Sequence, residues 1–269
     1  MKLFKAILIC ASVAAAQTPA EKRGDEVINA AVAAVGGEKF LNMQDRTETG
    51  RAYSFYREQL SGLSIAKIYT RYITVAKGRS GEDLGVRERE AFGKNEDTSV
   101  LFTETGGVDI NWRGFKELPQ DRLDRYRETT LRNVFYIFRQ RLHEAGMIFE
   151  YRGSDVFENQ PVDIVDITDS QNRVVTVYFH QSTKLPVRQV YVWANPETKQ
   201  RDEEETRFSR YRDVGGGVQW PHEITRKRNG DKVYEIFSES VVIDKDLTDN
   251  LFTLPGPGET TQKAPVKKR

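Results

Sequence analysis

Cysteine is almost absent from these 269 residues: the single one is Cys10. One cysteine forms no intrachain disulfide, and if the N-terminal segment that holds it is removed, thiol chemistry goes with it. Histidine is scarce too, with only His143, His180 and His222, far apart in sequence. No histidine follows His222-Glu223 at the spacing a zincin helix requires. Beyond residue 16 no apolar run approaches the ~20 residues of a membrane-spanning helix. Neither charge sign dominates, with 41 Lys and Arg against 40 Asp and Glu. An almost neutral chain with interspersed charges gives no electrostatic reason for a nucleic-acid partner.

What is present begins at the N-terminus. Lys2 and Lys5 form a cationic head, Ala6 to Val13 an apolar centre, and Ala14-Ala15-Ala16 a small-residue exit before Gln17. That is the layout of a secretory signal peptide over residues 1–16, too short to span a bilayer. Ile9 directly precedes Cys10 and the apolar stretch continues past it, so Cys10 reads as part of that stretch rather than as a lipidation site. The working protein is expected in the periplasm or elsewhere in the cell envelope. Losing Lys2 and Lys5 turns the formal net charge from +1 to about −1. Residues 17–254 then read as one domain. The stretch from Pro255 to Arg269 has little apolar content and reads as a disordered basic tail.

Thr18-Pro19-Ala20-Glu21 has the pattern of a capping box with proline in the first helical position. Val27, Ile28, Ala31, Ala34 and Val35 follow at helical spacing until Gly36-Gly37 ends the helix, and Gly24 weakens its first turns. Strands are expected at 51–58, 64–76, 86–92, 99–104 and 108–113. The span 121–144 predicts one long helix, with Leu123, Tyr126, Thr130, Leu131, Val134, Phe135, Phe138 and Leu142 on one stripe. Strands return at 149–157, 162–168, 174–180, 187–193, 205–212, 218–228 and 232–242. Asn229-Gly230 marks a type I′ turn. Successive hairpins give a wide antiparallel sheet, and sheets this wide tend to curl. The fold class is therefore α+β, mainly β, a curved sheet whose concave face is covered by the amphipathic helix.

No catalytic constellation emerges. Gly215-Gly216-Gly217 joins two strands and lacks the Lys-Ser/Thr pair of a phosphate loop. Asp244, Asp246 and Asp249 lack the glycine and terminal glutamate of a calcium loop and read as turn caps. The chain is expected not to be an enzyme and to use no cofactor or metal. What remains is apolar shape. A trough lined by Phe135 and Phe138 from the helix and Val175, Val177, Phe179, Val190 and Val192 from strands would accept a hydrocarbon tail. An acyl chain of ~14 carbons gains on the order of 10 kcal/mol by such burial. The competing reading is a β-rich structural or interaction module whose core is filled by its own side chains.

Several strings resemble the LolA/LolB-like family of outer-membrane lipoprotein-sorting proteins, over roughly residues 25–255. They are the strand Val174 to His180, the turn Ser182-Thr183-Lys184 and the returning Leu185-Pro186-Val187-Arg188. The closing block runs through Tyr211 to Val218, Trp220-Pro221, Arg228-Asn229-Gly230 and Leu247 to Phe252, with Pro255 after it. The chain looks like a larger, divergent member. The resemblance implies an unclosed half-barrel lidded by helices, with an apolar interior that accepts acyl chains of a lipid or lipoprotein. It also implies transient contact with envelope membrane proteins. A monomer is expected.

Overall fold

The computed structural model describes residues 17–75, 83–194 and 199–254. The signal-like segment 1–16 and the tail 255–269 lie outside them. Helix α1 (Pro19–Ala34) starts with the expected capping box: the Thr18 hydroxyl accepts the Glu21 N–H, and the Glu21 carboxylate accepts the Thr18 N–H. A short α2 (Gly37–Leu41) follows. The chain then lays down β1 (Asp45–Tyr56), β2 (Gln59–Tyr72), β3 (Val86–Phe92), β4 (Thr98–Phe102), β5 (Gly107–Asn111) and β6 (Gly114–Glu117) as one antiparallel meander. After a helical segment, a second meander runs through β7 (Ile148–Phe157), β8 (Gln160–Thr168), β9 (Val174–His180) and β10 (Pro186–Ala194). It continues through β11 (Arg201–Asp213) and β12 (Gln219–Arg228) to β13 (Asp231–Ile243).

β13 closes onto β1, so the two meanders make one sheet of thirteen strands, ordered β6-β5-β4-β3-β2-β1-β13-β12-β11-β10-β9-β8-β7. Its edges, β6 and β7, do not pair, and the curved sheet stays an unclosed half-barrel with the helices against its concave face. Register shifts in β1, β7, β10 and at the β12–β13 pair add the local twist that curling needs. The 229–230 turn has both residues at positive φ, as a type I′ hairpin demands.

The expected single helix over 121–144 is divided. Helix α3 covers Gln120–Leu131; Asn133 is extended, with ψ at 125°, and starts a second segment by accepting the N–H groups of Phe135 and Tyr136 on its side chain. That segment is a single α-turn, α4 (Val134–Tyr136), which widens into a π-helical turn over Ile137–Arg141. Asparagine competes for backbone donors in this way, which its place in an apolar stripe conceals. Arg141 then ties the segment down from a fully buried position. It donates to Glu144, to Asp169 at 2.7 Å and to the Leu131 carbonyl at 2.5 Å.

α1 and the 134–142 segment bury Val27, Ile28, Ala31, Phe138 and Ile137 against Val165, Ile167, Val175, Val177 and Phe179. This half of the concave face is solidly filled. A smaller apolar cluster lies around Tyr69, Ala91, Leu101 and Val108, covered by Phe252 from the closing 3₁₀ turn (Asp249–Phe252).

Gly24, which reads from sequence as a weakness in α1, is a packing requirement. A β-carbon there would lie 2.2 Å from the Phe149 carbonyl oxygen of β7 and 2.6 Å from its carbon. Helix propensity alone predicts that Gly24→Ala stabilises the protein by about 1 kcal/mol. The backbone clash reverses the sign, and we expect a loss of roughly 1–3 kcal/mol in denaturant unfolding. A stabilised variant would show that α1 does not rest on β7.

Candidate functional site

The other half of the concave face is bridged rather than filled. Helix α3 lies across it, held on both sides. On one side the Tyr126 ring stacks on Phe102 of β4, with centroids 3.8 Å apart and planes 5° from parallel. On the other, Arg125 donates to Glu204 of β11 at 3.0 Å and sits over Trp193 of β10, while the Thr129 hydroxyl meets the Tyr191 hydroxyl at 3.0 Å. Beneath the helix is a cavity of about 390 Å³. That lies within the ~300–1,000 Å³ of small-molecule pockets.

The inner faces of β1–β4 and β10–β13 supply the walls. Phe135, Phe208 and Trp220 form an aromatic end, Phe135 lying 5.1 Å from Phe208 and 4.8 Å from Trp220 between centroids. The Arg46 guanidinium stacks on Trp220 at 3.8 Å and donates to Thr70. Ile68, Ile224 and Ile236 form an apolar floor. Toward the far end of β12 the lining becomes ionic, with Arg226 and Arg228, Glu204 of β11, Glu88 and Glu90 of β3, and Arg122 and Arg125 of α3. A purely apolar trough was expected; the interior is amphipathic instead. The strand alternation that marks a wet outer face also places these charges inward, because the cavity is large enough to keep them partly solvated.

The residues nominated from sequence fall into three groups. Phe135 lines the cavity. Phe138, Val175, Val177 and Phe179 face inward but belong to the filled half, where Phe138 packs near Phe179 at 6.3 Å. Val190 and Val192 lie on the outer face of β10, and Val192 is 42% exposed. The inner face of β10 carries Gln189, Tyr191 and Trp193: Gln189 accepts the Val134 N–H at 2.9 Å. The register shift between Pro186 and Arg188 sets this phase, and both faces of the strand are apolar enough to hide it.

Electrostatics single out β3. Burial in the cavity wall and the neighbouring Glu88 push the Glu90 carboxyl up to about 7, against the opposing pull of Arg226 and Arg122. Glu88 is also raised, chiefly by burial, although it accepts the Thr70 hydroxyl at 3.2 Å. Both side chains keep some accessible surface, and it opens on the cavity. Tyr126 and Tyr234 are driven upward mainly by burial, so their hydroxyls stay protonated. Arg226 stays charged: burial opposes its charge, but Tyr234, Glu90 and Glu88 outweigh it.

The histidines do not gather. His143 is exposed, His180 accepts its own turn's Thr183 N–H at 3.0 Å, and His222 is buried with Nδ1 3.1 Å from the Trp220 carbonyl oxygen. Among the described residues no group of His, Cys, Asp or Glu is arranged to hold a metal ion, and no helix is long and apolar enough to cross a membrane.

No family model and no curated protein matches the chain by sequence. Solved structures do share its fold. An outer membrane lipoprotein-sorting protein domain from Vibrio parahaemolyticus aligns over 86% of this chain and 97% of its own, at 12% identity and a TM-score of 0.55. A DUF1329 family protein from Desulfovibrio piger aligns over 88% of this chain and 98% of its own, at 13% identity and a TM-score of 0.55. A LolA superfamily protein from Nitrosomonas europaea aligns over 86% and 97%, at 10% identity and a TM-score of 0.48. The first two share the overall fold of this chain, the unclosed antiparallel half-barrel that the resemblance implied, at a sequence identity that shows the fold alone.

The raised carboxyls make a pH prediction. Unfolded Glu90 ionises near 4.5, whereas the folded protein resists ionising it until about 7. The stability its protonated form contributes is therefore present at low pH and lost as pH rises through that window, by about 3 kcal/mol at most. Glu90→Gln removes this loss. Melting temperatures from pH 5 to 8 should fall more steeply in the wild type than in the variant; parallel curves would show that Glu90 is not held in a desolvated wall.

Proposed function

We propose that the protein is an exported envelope carrier that holds an acyl chain of a lipid or lipoprotein in the cavity under α3. One observation carries the reading: a lidded cavity of about 390 Å³ inside the half-barrel, open between strands that the filled half leaves uncovered. The signal-like N-terminus and the lipoprotein-sorting domain among the structural neighbours support it. In this reading the apolar floor and the aromatic end take hydrocarbon, with Phe135 in contact with it. Phe138, Val175, Val177 and Phe179 back that surface from the filled half, while Val190 and Val192 are the weakest of the sequence candidates. The work is binding rather than turnover, the ligand the acyl group of a lipid or lipoprotein, and the site the periplasm. Transient docking to envelope membrane proteins would load and unload the cavity, and the carrier works as a monomer.

Delipidated, purified protein titrated with a fluorescent long-chain fatty acid tests the proposal. We expect saturable binding at one site per chain, abolished by Ile224→Trp, which fills the cavity floor, and unchanged in Val156→Ser on an exposed strand position. Absence of saturation, or equal binding by the filled variant, would leave a β-rich envelope module with no cargo.

A further inference from the structure

The ionic end of the cavity holds two charges of opposite sign that see each other without touching: Glu90 is half-buried in the wall, and Arg226 is exposed where the cavity opens. Glu90 projects from β3 and Arg226 from β12, and each contributes to the other's electrostatics. Among the described residues, neither makes a hydrogen bond or an ion pair within 4.0 Å. The sheet separates them: β2, β1 and β13 lie between, and across the cavity floor their inner faces carry Ile68 beside Glu90, Glu48 (already engaged by Arg46 and Ser238) and Tyr234, whose ring lies 5.4 Å from the Arg226 guanidinium. Charged groups that line a cavity with their hydrogen-bonding capacity unused are free to complement a bound polar group.

The surroundings of each charge differ in sign. Beside Arg226, the guanidinium groups of Arg125 and Arg228 both donate to the same oxygen of Glu204, at 3.0 Å and 2.7 Å. Two guanidiniums thus share one carboxylate while Arg226 stands beside them without one, which leaves a cationic corner suited to a phosphate, since arginine forks match its oxygens. Beside Glu90, Glu88 lies on the same inner face of β3 and, among the described residues, accepts a hydrogen bond from Thr70 alone, giving a carboxylate pair with lone pairs to spare. A primary ammonium, with three donors, satisfies such a pair. A quaternary ammonium has no donor and is better served by an aromatic cage.

Resting on the carrier reading above, we propose that the cavity selects a zwitterionic amphiphile. Its primary ammonium docks between Glu88 and Glu90, its phosphate on Arg226 and Arg228, and its acyl chain runs over the apolar floor toward Phe135 and Trp220. The ligand closes the gap between the two walls and neutralises both.

Competition against the bound fluorescent fatty acid at pH 8, where Glu90 is ionised, separates the two levels of the argument. The competitors are single-chain phospholipids of equal chain length with ethanolamine, choline or glycerol headgroups. The ethanolamine lipid should displace the probe at least tenfold better than the other two. In Glu88→Gln/Glu90→Gln that preference over the glycerol lipid should vanish while the probe still binds. In Arg226→Gln all three phospholipids should weaken relative to an uncharged monoacylglycerol. Both variants keep the shape of the side chain, and melting temperatures no lower than wild type for Glu88→Gln/Glu90→Gln and close to wild type for Arg226→Gln verify the fold. If the probe binds but the three headgroups compete equally, water fills the gap and the headgroup assignment is overturned. If the probe itself does not bind, the carrier reading falls and takes this proposal with it.

Discussion

A sheet thirteen strands wide presents more inner surface than its few helices can cover. That mismatch governs the molecule. Helix α1 and the segment around Phe138 fill the concave face over β7–β10, where they interdigitate with Val165, Val177 and Phe179. Over β1–β4 and β11–β13, apart from Phe135 of α4 against Phe208 and Trp220 at one end, α3 provides the cover, and it reaches both sides by long side chains, Tyr126 onto Phe102 and Arg125 onto Glu204. A helix that spans by its side chains leaves space beneath it. The cavity follows from this division of labour between helices rather than from any special cavity-forming residue.

The same division explains why the interior tolerates charge. In the filled half, a buried ion is acceptable only with a full set of partners, as Arg141 has in Glu144, Asp169 and the Leu131 carbonyl. In the bridged half, Glu88 and Glu90 are only half-buried and Arg226 is exposed; among the described residues Thr70 donates to Glu88 and the Tyr234 ring lies under Arg226, and the open cavity supplies the remaining solvation. Their mutual placement, acid on β3 and base on β12, depends on the curl that brings these two strands face to face across three others.

Much of the fold was legible in the sequence, because local rules agree with the global one. The Thr18–Glu21 capping box, the alternation of Val175, Val177 and Phe179, and the Asn229-Gly230 turn each carry their structure within a few residues. Local rules failed where a long-range contact decides. Asn133 breaks an apolar stripe that reads as continuous, and Gly24 reads as a flaw until β7 is known to lie against it. Strand β6 is too short to show a pattern. The site was the least legible part. β10 is apolar on both faces, so a bulge between Pro186 and Arg188, not hydrophobicity, puts Tyr191 and Trp193 inside and Val190 and Val192 outside. Glu88, Glu90 and Arg226 carry no mark in the sequence, since nothing local distinguishes a charge facing solvent from one facing a cavity.

The central claim is that the space under α3 exists to be occupied. Native mass spectrometry of the protein purified without detergent from its own envelope addresses that claim directly. The account predicts a chain accompanied by one lipid-sized mass that organic extraction removes. A bare chain, whose mass is unchanged by extraction and whose interior admits no apolar dye afterward, would contradict it.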